Sequence, residues 1–132
     1  MKALFPHAAT THGVTVRVSV SYLPEQSEPA RGRWFWAYHI RLENEGTQAV
    51  QLLTRHWVIT DGRGARHSVE GEGVVGEQPL IEPGGSFDYV SGCPLSTPTG
   101  TMEGSDRMIA ADGETFDADI PRFPLHAPAV TS

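Results

Sequence analysis

Hydrophobic and polar positions alternate with a period of two along most of the chain. In VTVRVSVSY, Val14, Val16, Val18 and Val20 fall on one face while Thr15, Arg17, Ser19 and Ser21 fall on the other. Successive side chains leave opposite sides of a pleated strand, so this pattern predicts a strand with one face buried. RWFWAYHIRLEN repeats it, with Trp34, Trp36, Tyr38, Ile40 and Leu42 alternating against Arg33, His39, Arg41 and Glu43. In AVQLLTRHWVIT the residues read in phase are Leu53, Trp57 and Ile59, and the turn DGRG then leads into ARHSVEGEG as a hairpin. SFDYVSG and TGTMEGSDRMIA read as further strands, and Asp112-Gly113 turns the latter into ETFDADIP.

No window sustains the i, i+3, i+4, i+7 apolar spacing of a helix, and 14 glycines and 10 prolines break the chain at short intervals. The pattern predicts one all-β domain over residues 1–132, an antiparallel β-sandwich of seven or eight strands in the immunoglobulin or fibronectin type III style, with Trp36 near its centre. A closed barrel is the alternative. The proline-containing ends, 1–13 and 126–132, are expected to be flexible.

Composition narrows the class of function. Hydrophobic residues make up 39% and charged residues 20%, as in an ordinary globular protein, and there is no apolar run of membrane length. The start, MKALFPHAATTHG, lacks a signal-peptide core, and the single cysteine, Cys93, suits a reducing compartment, so a cytoplasmic location is expected. Net charge is -6, unevenly distributed: residues 1–60 hold six basic and four acidic side chains, whereas residues 61–119 hold twelve acidic and three basic ones. Binding nucleic acid requires clustered Lys and Arg, so neither a nucleic-acid nor a membrane partner is expected.

The run GEGVVGEQP carries the G-x-G-x-x-G spacing of dinucleotide-binding loops at Gly71, Gly73 and Gly76. That motif works at the start of a helix whose N-terminal amides hold the pyrophosphate. Here the third glycine is followed by EQPLIEPGGS, which leaves no room for a helix, and Glu70, Glu72, Glu77 and Glu82 surround the segment. The glycines are therefore expected to serve positive φ or close backbone approach, with a nucleotide- or pyrophosphate-binding protein or enzyme as the alternative function.

Other chemistry has less support. Glu70 and Glu72 would share a strand face at roughly 7 Å. With Glu77 and His67 they form the candidate set for weak Mg²⁺ or Co²⁺ binding, no tighter than about millimolar. His56, His67 and Cys93 match no paired zinc-ligand spacing. No G-x-S-x-G elbow is present, and SGCPLSTPTG offers no electropositive setting for a cysteine nucleophile. The uncharged, proline-rich run from Ser91 to Met102 reads either as a wandering loop between strands or as a pocket wall.

The stretches GEGVVGEQP, PGGSFDYVSGCPLSTPTGTMEGS and IPRFPL together resemble the ApaG family, and the resemblance extends back through VTVRVSVSY over nearly the whole chain. It implies a fibronectin type III-like sandwich and does not imply an enzyme. It also implies a bacterial protein associated with cobalt resistance and magnesium-related phenotypes. Similar domains in eukaryotic F-box and polymerase-interacting proteins point to protein recognition. One departure is Asp106, where the resemblance leads us to expect an aromatic residue, usually tyrosine. The resulting expectation is a non-catalytic binding module whose partner is another protein. It would use a strand edge or two loops, with Gly71, Gly73, Gly76, Glu77, Gln78 and Pro79 as candidates in one and Cys93 and Pro94 in the other.

Overall fold

A computed structural model describes residues 5–128. Its strands are β1 (His7–Thr11), β2 (Val14–Tyr22), β3 (Trp34–Asn44), β4 (Val50–Asp61), β5 (Arg66–Glu72), β6 (Leu80–Ile81), β7 (Ser86–Leu95), β8 (Thr99–Ala110) and β9 (Thr115–His126). One sheet has the order β1-β2-β3-β7 and the other β5-β4-β8-β9, with β6 paired to β4, and every pairing is antiparallel. The two sheets face each other as a sandwich, as the alternation predicts. Val14, Val16, Val18, Trp36, Ile40 and Leu42 from one sheet and Leu52, Met102, Met108 and Phe123 from the other are buried between them.

Residues 1–13 were expected to be a flexible end, yet His7–Thr11 form β1 and pair with β2. The reason is the His12-Gly13 turn, in which both residues have positive φ, 47° and 80°. That is the two-residue hairpin geometry whose twist matches the flanking strands. At the other end β9 runs to His126 and the Ala127 amide donates to the Pro98 carbonyl, while residues 1–4 and 129–132 lie outside the described residues. The Ser91–Met102 run is not a wandering loop either: Ser91–Leu95 complete β7 and Thr99 already begins β8.

In β4 the phase differs from the alternation read in the sequence. Leu52, not Leu53, is fully buried, and the register with β8 steps from Leu52 opposite Met108 to Thr54 opposite Arg107. Leu53 is thus the extra residue of a β-bulge, which shifts every later side chain by one position. Val50 and Leu52 point inward before it and Trp57 after it. A similar step in β9, between Ile120 and Phe123, moves the buried set from Ala118 and Ile120 to Phe123 and Leu125.

The two long edges of the sandwich differ. β1 and β9 pack against each other, and the amide of Asp119 bonds Thr11 Oγ1 across them at 3.2 Å. The opposite side, between β5 and β7, opens into a cleft. If Leu52 fills the core and Leu53 is the bulge residue, Leu52→Ala should cost about 2–5 kcal/mol and Leu53→Ala less than about 1.5 kcal/mol. Urea unfolding followed by tryptophan fluorescence checks this, and equal losses would contradict the assigned phase.

Candidate functional site

The cleft between β5 and β7 has a volume of about 440 Å³, within the range of small-ligand and side-chain sites. Its floor is aromatic and apolar: Tyr38, Trp57, Ile59 and Met102 line it, with Val69 on the β5 side and Leu95 on the β7 side. Tyr38 and Trp57 meet edge to face at 5.3 Å, and Trp57 meets Phe123 at 6.0 Å, so the floor is braced from below. Polar groups enter at defined places, with Arg55, Asp61 and His67 from the β4–β5 hairpin and Ser91, Cys93 and Ser96 from the other wall. The bulge at Leu53 is what turns Arg55, Trp57 and Ile59 toward this side of the sheet.

Of the sequence candidates, Cys93, Pro94 and His67 line the cleft. Cys93 is 2% exposed, and burial pushes its thiol up to about 11. Its Sγ lies 3.7 Å from the Pro94 carbonyl, to which it donates, and it has no hydrogen bond to a histidine. It is a protonated packing group, unlike an activated nucleophile.

The glycine segment lies at the end of β5 and carries the chain from β5 to β6. Val75 and Gly76 both have positive φ, 44° and 82°, and form a tight turn closed by Val74 and Glu77, whose amides each donate to the other's carbonyl. The Gly73 amide donates to the carbonyl of the bulge residue Leu53 at 2.9 Å, and Gln78 Nε2 donates to the same carbonyl at 2.8 Å. The amides of Gly73, Val74 and Glu77 are therefore all engaged within the chain. Gly73 has φ 64°, and a Cβ there would come within 2.3 Å of the Glu77 carbonyl. At Gly71 a Cβ would meet the Arg55 guanidinium at 2.9 Å, so that glycine leaves room for the guanidinium to lie across the strand. The Leu52 amide bonds the Pro79 carbonyl at 3.0 Å, which holds the segment's far end to β4.

The metal candidates are divided between two faces. Glu70 and Glu72 line a shallow depression of about 520 Å³ on the outer face of the β5-β4-β8-β9 sheet, together with Thr54, His56, Ser105, Arg107 and Asp117, and Arg55 and Gly71 border it as well. His67 lines the cleft on the opposite face. Glu77 lies beyond β5, in the turn. Among the described residues no three His, Cys, Asp or Glu side chains are grouped to hold an ion. In the outer depression His56 Nε2 lies 3.9 Å from the Glu70 carboxylate, and Arg107 pairs with Asp117 at 3.3 Å.

Behind the cleft sits a polar group that sequence reasoning singled out only as a departure from the family pattern. Asp106 is fully buried, directly across from Arg55 on the neighbouring strand, and neither of its carboxylate oxygens has a hydrogen-bond partner among the described residues. Burial pushes its carboxyl up to about 7, and Arg55 opposes that rise. The buried Tyr89 hydroxyl also lacks a partner, and burial raises both it and Tyr38. An acidic residue on an inward-facing strand position was the available signal; its cross-strand neighbour Arg55 was hidden by the bulge.

The comparisons with known proteins agree with one another. The family model of the ApaG domain matches residues 24–110. A Protein ApaG from Bradyrhizobium sp. (strain ORS 278) is 52% identical over 122 residues, 92% of this chain and 94% of that one. A Protein ApaG from Thiobacillus denitrificans is 54% identical over 117 residues, 89% and 92% of the two chains. Among solved structures, that of an ApaA protein from Bordetella pertussis superposes with a TM-score of 0.86 at 43% identity, covering 92% of this chain and 99% of that one. The C-terminal domain of wzt shares the fold alone, at a TM-score of 0.56 and 12% identity, over 95% of this chain and 79% of that one.

The raised Asp106 carboxyl has a consequence for stability. Its folded value of about 7 lies above the ordinary 3.8, so the folded state holds this proton more tightly than the unfolded state. The stabilisation is full below about pH 4 and is lost as pH rises through about 7. Asp106→Asn should therefore raise unfolding free energy at pH 8, by on the order of 3 kcal/mol, with the gain shrinking toward pH 5. Denaturant titrations across that range check it, and a pH-independent difference would contradict the burial of an ionisable carboxyl.

Proposed function

The chain belongs to the ApaG domain family, and we propose that it is a non-catalytic module that binds another protein through the cleft and the free β5 edge beside it. The observation that carries this reading is the asymmetry of the sandwich: one long side is closed by β1 against β9, while the other is an apolar-floored cleft between two sheet edges. An edge strand presents unpaired backbone groups, and a native protein that leaves one beside an apolar groove offers an extended segment both hydrogen bonds and a side-chain pocket. Val69 is 41% exposed at the cleft, and further along the same sheet edge Val75 and Leu80 are 54% and 61% exposed. Such exposure is ordinary for one residue but marks an interaction surface when it follows an edge.

The non-catalytic part rests on the chemistry of the candidates. The Cys93 thiol is protonated and bonded to a carbonyl, and Asp106 is sealed behind the cleft. Any effect on cobalt resistance or magnesium homeostasis then passes through the bound partner, in keeping with the separation of Glu70 and Glu72 from His67 on opposite faces. The cytoplasm is the proposed compartment, for which the buried free thiol of Cys93 is suited.

Val69→Lys places a charge at the cleft on an exposed strand position and should leave the fold within about 0.5 kcal/mol of its stability. The wild-type chain used as bait should retain a stoichiometric partner from cytoplasmic extract, and the variant should lose it by at least about tenfold. Equal retention by both chains, or no stoichiometric partner for the wild type, would overturn the reading.

A further inference from the structure

Arg55 is the one cationic guanidinium in the cleft lining, and its hydrogen bonds are one-sided. Nη1 donates to the Glu72 carbonyl at 3.1 Å and to the Gly73 carbonyl at 2.9 Å. Those bonds, with the guanidinium laid over Gly71, anchor the group to the end of β5. Nε and Nη2 make no hydrogen bond among the described residues, and no carboxylate among them lies within salt-bridge distance of Arg55. A guanidinium held on one side and open on the other presents the planar pair of donors that matches a carboxylate.

We propose that the cleft captures the free C-terminal carboxylate of a partner polypeptide, with Arg55 Nε and Nη2 as the fork and a large apolar last side chain seated on Tyr38, Trp57 and Val69. This deepens the protein-binding reading and rests on it. The placement argues for a chain terminus rather than a passing segment. Arg55 lies where β5 ends, and beyond Glu72 the chain leaves the strand in the turn closed by Val74 and Glu77, whose tip residue Val75 stands in solvent. A strand pairing with the β5 edge and running parallel to it therefore reaches Arg55 as the edge runs out. Its final carboxylate supplies the charge that Arg55 lacks, and its last side chain points into the apolar floor.

Two charged side chains line the cleft, Arg55 and, six residues along β4, Asp61, whose Oδ1 accepts the Arg63 and Ala65 amides. His67 also lines the cleft. Asp106, across from Arg55, is the opposing group, and with its carboxyl pushed up to about 7 by burial it is about half neutral at that pH. Asp106 is faced by Arg55 from β4, and the hydroxyl groups of Tyr38 from β3 and Tyr89 from β7 feel its charge. A carboxylate arriving at Arg55 offsets the field that holds the Asp106 proton loosely. Binding should then take up a proton at Asp106 and tighten as pH falls from 8 to 6. The part of this dependence that disappears in Asp106→Asn belongs to Asp106.

The probe is an array of fluorescein-labelled hexapeptides with varied upstream sequence and leucine or phenylalanine last, each made as the free acid and as the C-terminal amide. Titrated with the full chain, free-acid members should bind saturably, and their amides at least about tenfold more weakly. Arg55→Gln should cause a similar loss. Because that variant also gives up the bonds to Glu72 and Gly73, Arg55→Lys is measured beside it: lysine keeps the charge without the planar fork, and should still weaken free acids several-fold while leaving amides unchanged. A third peptide form ends in a glutamate amide; if it binds as well as the free acids, the ligand is a side-chain carboxylate and the proposal falls. It also falls if acids and amides bind alike, if Arg55→Lys binds free acids as tightly as wild type, or if no free acid saturates at millimolar concentration. Those outcomes leave the broader protein-binding reading standing, since that reading is decided by partner retention with and without Val69→Lys.

Discussion

The architecture of the cleft depends on one extra residue. If β4 kept strict alternation from Val50 and Leu52, the inward positions would continue through Thr54, His56 and Val58, and Arg55 and Trp57 would face solvent. The bulge at Leu53 reverses this, so an aromatic floor and a guanidinium appear on the inner face at the open side of the sandwich. A bulge leaves a backbone group outside the ladder, and here the Leu53 carbonyl receives the Gly73 amide and the Gln78 side chain. The glycine segment is therefore the other half of the bulge. Its glycines allow the tight turn, the close approach of Glu77 and the guanidinium lying over β5, all of which a Cβ would obstruct.

This arrangement joins stability to recognition at a few atoms. Arg55 ties β4 to the end of β5 through two carbonyls and lines the cleft. Across from it Asp106 is buried without a hydrogen-bond partner among the described residues, at a cost that an apolar side chain of similar size would not incur. The Tyr89 hydroxyl shares that environment. Polar groups left unpaired between the sheets, beside a cleft with an aromatic floor, mark the region where the fold is least optimised for its own stability. Such local conflicts collect at sites of function. Among the described residues the other buried polar side chains have hydrogen-bond partners: Asn44, for example, donates to the Gln48 and Ile81 carbonyls and accepts from the Gly46 amide.

Membership of the ApaG domain family and the sandwich fold agree with what the chain's alternation and its longer motifs imply. The candidate site was legible only in pieces. Cys93 and Pro94, candidates from an uncharged stretch that reads either as a loop or as a pocket wall, are among the residues that line the cleft. The glycine run drew attention by its spacing, whereas its hydrogen bonds tie it to the Leu53 bulge. Glu70 and His67 are close in sequence but emerge on opposite faces of a strand, so proximity along the chain did not bring them together. Arg55, Trp57 and Val69 were missed as site residues, because no local pattern distinguishes an inward residue of an open edge from one of a closed core.

The sequence by itself determined the class of structure. Period-two alternation, frequent glycine and proline, and the turns at Asp61–Gly64 and Asp112-Gly113 leave antiparallel strands, in a sandwich or a closed barrel, as the way to bury one face of each strand. These are local properties, set by side-chain direction and backbone dihedrals over a few residues. What only the tertiary structure decided was phase and closure. The bulge residue is chosen by pairing between β4 and β8, far apart in sequence, and the closed and open edges are set by β1 meeting β9 while β5 and β7 flank a cleft. Both depend on long-range pairing, in which a one-residue step exchanges the buried and exposed faces of a strand. The site exists because that step occurs at Leu53, and only the partners of β4 in the folded sheet specify it there.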